Sequence, residues 1–223
     1  MHPMAAGLTE LQKRFSAIYT GVIADVLDRR GYHNQTLPPQ LRQLCEGMRL
    51  AGPAYTVEGR PQPVRDYDSS IRKILDMLGK VPPGHVAVYQ TNDESSAQLG
   101  ELSVTSLKAR GCAGVVIDGG CRDVEFILRE DYPVFARYTT PQDCVPRWDL
   151  VAHGEVTIEI GGVRVAPGDY VVGDRDGVVV IPAALVEDVL AEAEGKAATE
   201  SEIRTAVRAG TLPLEAYERY GTF

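Results

Sequence analysis

The sequence lacks the short motifs that identify most cofactor and metal sites. Its four cysteines, at positions 45, 112, 121 and 144, form no C-x-x-C pair, which argues against a zinc ribbon or a thioredoxin-like redox centre. Its four histidines are too dispersed for an H-x-H or H-E-x-x-H metal motif. The glycine-rich phosphate loops and the G-x-S-x-G serine elbow are also missing. We therefore do not expect dinucleotide-dependent, P-loop or serine-hydrolase chemistry.

Positive charge and long apolar runs are scarce as well. The chain has 23 Lys and Arg residues against 31 Asp and Glu residues, a formal net charge of −8 at pH 7. This balance excludes a broadly basic nucleic-acid surface and favours a cationic ligand such as a metal ion. No run of about 18 apolar residues is present, and residues 1–7 lack the features of a secretion signal. We expect a cytoplasmic protein with no nucleic-acid or membrane partner.

Apolar residues make up 44% of the 223-residue chain, which is enough for one sizeable core. We predict one compact domain over residues 1–223. An uninterrupted apolar strand between helices indicates an α/β core, and the later segments indicate antiparallel strands. The fold class expected is α/β, a mixed sheet flanked by helices. The predicted elements are helices over 20–30, 101–110, 123–130 and 183–209, strands over 49–58, 85–89, 113–118, 156–160, 163–165, 170–172 and 178–181, and a tight loop at 119–121.

The segment from Gly100 to Asp123 combines the features expected of a site. The helix over 101–110 advances about 15 Å, and the strand over 113–118 returns about 20 Å. Because the two lengths nearly cancel, the start of the helix should meet the end of the strand. Loops that follow strands in α/β sheets are where ligands commonly bind. We therefore expect Gly100, Glu101, Leu102 and Ser103 to lie beside Arg122 and Asp123.

These residue types suit metal-assisted chemistry on a small 2-oxo acid. The Asp123 carboxylate is a candidate ligand for Mg²⁺ or Mn²⁺, and the free N–H groups at the helix start could bind the substrate carboxylate. Arg122 could stabilise an enolate oxygen, and Glu101 could transfer protons. Structural roles remain open: Arg122 could simply pair with a carboxylate, and Glu101 could complement the helix dipole. Likewise, Asp174 and Asp176 resemble a metal pair, but Asp-x-Asp-Gly also favours a turn.

The same residues resemble a known family. The segments 100–102, 110–111 and 114–123 are similar to the regulator of ribonuclease activity A-like family, which includes class II 4-hydroxy-4-methyl-2-oxoglutarate aldolases. Its motif is an acidic residue, twenty residues, then Arg-Asp; here Glu101 is followed by residues 102–121 and then by Arg122 and Asp123. Similarity extends over roughly residues 15 to 220.

The resemblance implies a fold like the phosphohistidine swivelling domain (β/β/α), assembled as a homotrimer or hexamer. It implies that Asp123 binds the divalent metal, that Arg122 contacts the substrate, that the backbone at 100–103 binds the pyruvate carboxylate, and that Glu101 assists proton transfer. A glutamate of a neighbouring subunit, matching Glu200 or Glu202, should approach the site, so the C-terminal helical segment at about 183–223 is expected at the interface.

Two functions are implied by this family. One is an aldolase that releases pyruvate from a 4-hydroxy-2-oxo acid and also decarboxylates oxaloacetate. The other is a non-catalytic regulator that binds ribonuclease E. The joint presence of Glu101, Arg122 and Asp123 favours the enzyme.

Overall fold

A computed structural model of the chain describes residues 9–63 and 66–223. Residues 1–7, for which we expect no secretion signal, lie outside that part. None of the helices described has both the length and the apolar character needed to cross a bilayer.

The described residues form seven α-helices, eleven strands and one 3₁₀ turn. The helices are α1 (Glu10–Ser16), α2 (Thr20–Arg29), α3 (Tyr67–Lys80), α4 (Glu101–Ala109), α5 (Val124–Arg129), α6 (Val186–Arg208, preceded by the 3₁₀ turn Ala183–Leu185) and α7 (Pro213–Tyr220). The strands are β1 (Arg42–Gln43), β2 (Leu50–Pro61), β3 (Val86–Gln90), β4 (Ala97–Leu99), β5 (Gly114–Cys121), β6 (Val134–Thr139), β7 (Trp148–His153), β8 (Ile158–Ile160), β9 (Val163–Val165), β10 (Tyr170–Gly173) and β11 (Val178–Ile181).

Nine of these strands form one mixed sheet. Its main path runs β1-β6-β5-β3-β2-β10-β11, with β4 beside β5 and β7 beside β2. The central strands β2, β3, β5 and β6 are parallel, whereas β10, β11, β7 and β1 pair antiparallel with their neighbours. The separate β8–β9 hairpin turns at Gly161 and Gly162, both with positive φ. The predicted α/β class, a mixed sheet flanked by helices, is confirmed.

The central strand β5 is buried on both faces, as its uninterrupted apolar sequence predicts. Val115 and Ile117 join the apolar cluster beneath α3 and α4, while Val116 packs with Val88 on the opposite face. All three β5 side chains are fully buried. This two-sided burial fixes the position of the end of β5, where Arg122 and Asp123 follow.

The tight loop predicted at residues 119–121 is wrong, because β5 continues through Cys121. The two glycines serve close packing within the strand. A Cβ at Gly119 would lie 2.6 Å from the Thr91 side chain, and one at Gly120 would lie 2.6 Å from the Tyr138 ring. The β5–β6 register shifts between Ile117 and Gly120, so the strand is irregular here without turning.

Asp174 takes part in a turn, as the Asp-x-Asp-Gly pattern favours. Its carboxylate accepts hydrogen bonds from the Thr20 N–H (2.8 Å), the Thr20 hydroxyl (2.7 Å) and the Asp176 N–H (3.0 Å). Thr20 is consequently the first residue of α2, and Tyr19 occupies the N-cap. Asp174 therefore connects the β10–β11 turn to the start of α2.

A stability prediction follows from Trp148, which is 1% exposed and donates from its indole N–H to the Thr91 carbonyl (2.8 Å). A Cβ added at Gly59 would overlap the indole ring. We expect Gly59→Ala to lower the free energy of unfolding by about 1–3 kcal/mol, because a packed core resists added volume. Gly195→Ala, in open space on α6, is the matched control and should raise it by up to about 1 kcal/mol. Urea denaturation would measure both; equal changes would contradict this packing account.

Candidate active site

The start of α4 meets the end of β5. The Arg122 N–H donates to the Leu99 carbonyl (2.9 Å), and the Glu101 N–H donates to Asp123 Oδ2 (3.2 Å). The residues meet as the sequence predicts, but not because two lengths cancel: β5 has 8 residues, about 26 Å, and α4 has 9, about 14 Å. The pairing of Leu99 with Cys121 holds the start of α4 beside the end of β5. The segment 100–103 and the Arg122-Asp123 pair therefore share one edge of the sheet, while the chemical roles given to them remain predictions.

Asp123 has an uncommon backbone conformation. Its φ of 58° is left-handed, and it is the N-cap of α5. Asp is one of the few non-glycine residues that adopt this region readily. Oδ2 faces the α4 N-terminus, and the side chain is 44% exposed. Within residues 9–63 and 66–223, no group donates a hydrogen bond to the other oxygen, Oδ1, which is thus available to a ligand.

Arg122 lies between two carboxylates. Its Nε is 3.6 Å from Asp123 Oδ2, and its Nη1 is 3.4 Å from Asp143 Oδ2. Asp143 was not predicted from the sequence. It reaches the site because β4 binds its loop: the Ala97 N–H donates to the Gln142 carbonyl (2.8 Å). No local sequence pattern could have revealed this long-range contact.

The first turn of α4 presents polar groups to the same space. By helix geometry, the N–H groups of Leu102 and Ser103 have no intrahelical acceptor and are positioned to bind an anion. The Glu101 carboxylate accepts a 3.3 Å hydrogen bond from the Thr105 hydroxyl. Leu102 is 77% exposed. This end of α4 combines an anion-binding backbone with a carboxylate that could accept or donate a proton.

A buried polar network behind the site was also missed. Asp93, 7% exposed, accepts hydrogen bonds from Ser95, Ser96 and Gln98. Burial acts to raise the pKa of Asp93, but the bonds from Ser96 and Ser95 outweigh it, and the net pKa is lowered. The Gln98 carbonyl oxygen in turn accepts the Gly120 N–H (3.2 Å). An ionised Asp93 thereby orients Gln98 and holds β4 and the end of β5 in register.

The two C-terminal candidates lie elsewhere on the chain. Glu200 accepts a hydrogen bond from the Tyr19 hydroxyl and pairs with Lys196 (3.0 Å). Glu202 is exposed on α6. Neither lines the cavity around Asp123. A single chain does not bring them to the site, and their contribution from a neighbouring subunit stays a prediction.

The donor set around Asp123 fits a hard cation. Across the described ranges there is no cluster of three or more His, Cys, Asp and Glu residues that could enclose a metal. Mg²⁺ commonly binds through one or two carboxylates and retains several waters, which suits the free Oδ1 of Asp123. Cys121 does not offer a thiolate, because burial raises its pKa to about 12. These residues suit Mg²⁺ or Mn²⁺ better than a structural zinc ion.

One cavity unites these groups. It has a volume of about 530 Å³ and is lined by the α4 N-terminus, Arg122, Asp123 and Asp143. From there it continues between α3 and α4. Its size suits a small organic ligand.

Comparison with known proteins identifies the family to which this sequence is similar. The family model described as "RraA-like: Aldolase/RraA" matches residues 20–180. A protein of Halalkalibacterium halodurans named "Putative 4-hydroxy-4-methyl-2-oxoglutarate aldolase" is 32% identical over 205 residues, covering 92% of this chain and 91% of that protein.

Solved structures agree with this match. An uncharacterized protein of Pseudomonas syringae pv. tomato has a TM-score of 0.80 and 28% identity, covering 95% of this chain and 98% of its own. Streptomyces coelicolor RraAS2, described as an unusual member of the RNase ES inhibitor RraA protein family, has a TM-score of 0.77 and 28% identity, with coverages of 91% and 99%.

Proposed function

The chain belongs to the RraA-like family, and from that premise we propose that it is a divalent-metal-dependent lyase that forms pyruvate. Its substrates are 4-hydroxy-4-methyl-2-oxoglutarate or a related 4-hydroxy-2-oxo acid, and it also decarboxylates oxaloacetate. The observation that carries the proposal is the meeting of Asp123, Arg122 and the start of α4 in one cavity.

Each group has a distinct role in this reaction. A Mg²⁺ or Mn²⁺ ion held by Asp123 would polarise the ketone of the 2-oxo acid. The N–H groups of Leu102 and Ser103 bind the adjacent carboxylate. The Arg122 guanidinium stabilises the negative charge that develops on the enolate oxygen.

Glu101 and the substrate together account for every proton and electron pair that moves in the cleavage. Glu101 accepts the proton of the C4 hydroxyl, directly or through water, as the C3–C4 bond breaks. The electron pair of that bond forms the pyruvate enolate, and C4 leaves as a carbonyl compound. Glu101 then returns the proton to C3. Loss of CO₂ from oxaloacetate forms the same enolate, so the same residues serve both reactions.

The active assembly is a homotrimer or hexamer in this proposal, with the segment at about 183–223 at the interface. Exposed apolar side chains on and beside α7 support an interface there: Leu212, Leu214 and Tyr217 are 67%, 68% and 53% exposed. Glu200 already contacts Tyr19 and Lys196, whereas Glu202 is exposed on α6. Glu202 is therefore the C-terminal glutamate that we assign to the neighbouring site.

A non-catalytic regulator of ribonuclease E is the competing function. The description of the Streptomyces relative as an RNase ES inhibitor family member supports it. Such a role needs a protein-binding surface but no bound cation at Asp123.

Pyruvate release distinguishes the two functions. We expect the protein to release pyruvate from oxaloacetate and from 4-hydroxy-4-methyl-2-oxoglutarate with Mg²⁺ or Mn²⁺, and to lose this turnover in a chelator. Oxaloacetate also decarboxylates with free metal ions, so a protein-free reaction at the same ion concentration is the control. No release above that control would favour the regulator.

Gly100 supplies a second test of the same geometry. A Cβ at this position would lie 2.8 Å from Asp123 Oδ2 and 3.3 Å from Arg122 Nε. We expect Gly100→Ala to displace these groups and lower kcat/KM for pyruvate release by up to about 10²-fold, since small misplacements of reacting groups are costly. Gly21→Ala, on α2 and outside the segment placed at the interface, should leave kcat/KM unchanged. Full activity in Gly100→Ala would show that the close approach is unimportant.

A further inference from the structure

The short strand β4 holds the backbone of both Arg122 and Asp143. The Leu99 carbonyl accepts the Arg122 N–H (2.9 Å), and Ala97 forms main-chain hydrogen bonds with the residues on either side of Asp143 (2.8 and 3.2 Å). Ala97 and Leu99 are two residues apart, which is about 7 Å along a strand. The segments that carry the guanidinium and the carboxylate are therefore held at a fixed separation.

The Asp143 carboxylate is oriented toward Arg122. Its Oδ1 accepts a hydrogen bond from the Val145 N–H (3.4 Å), and its Oδ2 lies 3.4 Å from Arg122 Nη1. The chain that follows is anchored by the buried Trp148, whose main-chain N–H donates to the Cys144 carbonyl (2.9 Å). Exposed ion pairs usually contribute little, partly because two side chains must be ordered. Here a short side chain on an anchored backbone reduces that entropic cost.

The Arg122 guanidinium is not saturated by its two acids. It lies 3.6 Å from Asp123 and 3.4 Å from Asp143, and both distances exceed the roughly 2.7–2.9 Å of a charge-assisted hydrogen bond. Arg137, in contrast, lies only 2.6 Å from Asp118. Arg122 is thus placed between two carboxylates and keeps N–H groups for negative charge on a ligand in the cavity.

Without Asp143, the guanidinium would have a single carboxylate neighbour. Arginine commonly forms bidentate pairs with a carboxylate, and the neighbour that remains is Asp123. A guanidinium closed onto Asp123 would occupy the group assigned to the cation. It would also turn its N–H groups away from the substrate. An acid on the opposite side of Arg122 counteracts this collapse.

We propose that Asp143 is a positioning residue that holds the Arg122 guanidinium away from Asp123 and directed at the enolate oxygen. Asp143 acts through Arg122 and takes no part in the bond changes. This inference rests on the proposed lyase function and adds a residue to the site that performs it.

Steady-state kinetics of oxaloacetate decarboxylation tests this role. We expect Asp143→Asn to lower kcat by about 10- to 10²-fold, because small misplacements of a reacting group are costly. KM should not rise, because the charge that Arg122 stabilises develops only in the transition state. Asp143→Glu restores the negative charge and should recover most of kcat. Glu46→Gln, which removes the carboxylate from the exposed Arg175 pair, should change neither constant.

A double variant shows whether Asp143 acts through Arg122. In the Arg122→Lys background, Asp143→Asn should lower kcat by less than about threefold, because an ammonium has no planar group to orient. Reductions that multiply in full would show an independent effect of Asp143 and overturn the proposal. A wild-type kcat in Asp143→Asn, or a change in KM alone, would also overturn it.

Wild-type turnover in the same experiment separates this failure from that of the lyase. Pyruvate release by the wild type together with an unaffected Asp143→Asn variant overturns the positioning role alone. No release by the wild type above the protein-free control overturns the lyase function, and the role of Asp143 with it.

Discussion

Asp123→Asn should lower pyruvate release from oxaloacetate by about 10³-fold. A cation bound by Asp123 would stabilise the charge that develops on the substrate by several kcal/mol, and an amide is a much weaker ligand for that cation than a carboxylate. Asn keeps the size of the side chain and tolerates the left-handed φ of 58°. The substitution therefore removes the charge with little change in backbone strain. Mn²⁺ binding, measured by electron paramagnetic resonance, should weaken in parallel with turnover.

The control for this variant is Asp131→Asn. Asp131 also has a positive φ, 47°, but it follows α5 and does not line the cavity. We expect its turnover and Mn²⁺ affinity to match those of the wild type. If Asp123→Asn kept both properties as well, the cation would have to bind elsewhere.

Arg122→Lys should lower kcat by about 10²–10³-fold, the usual effect of removing one preorganised oxyanion donor. The Arg122 guanidinium approaches Asp123 through Nε and Asp143 through Nη1. A lysine ammonium is a point charge and cannot reproduce this planar arrangement. Because the interaction forms with charge that develops in the transition state, kcat should fall more than KM rises.

Arg175→Lys is the matched control, since Arg175 forms an exposed 2.8 Å pair with Glu46 away from the site. It should leave kcat and KM unchanged. An Arg122→Lys variant that altered KM alone would indicate that Arg122 binds the ground state and does not stabilise the enolate.

Local patterns predicted the helix and the buried strand that carry the centre of the site. The apolar run of β5 is buried on both faces, and the helix before it has nearly the expected length. The contact between Glu101 and Asp123 also needs the short strand β4, because Leu99 pairs with Cys121 at the end of β5. The Gly161-Gly162 hairpin was predictable for a similar reason, because the turn depends on residues adjacent in sequence.

Features that depend on distant segments were not predictable. Asp143 reaches Arg122 only because its loop pairs with β4, and Asp93 reaches Gly120 only through Gln98. The glycines at 119 and 120 indicated a loop, yet their function is to admit Thr91 and Tyr138. A one-dimensional pattern shows that a side chain is small but not which neighbour requires it to be small.

The central claim is that this site forms the enolate of pyruvate. Its most direct test is exchange of the pyruvate methyl protons with deuterium in D₂O, followed by proton NMR, which requires no knowledge of the natural substrate. We predict protein-dependent exchange with Mg²⁺ or Mn²⁺ that is abolished by chelator and by Asp123→Asn. Exchange no faster than with the cation alone would contradict the lyase account and favour the regulator.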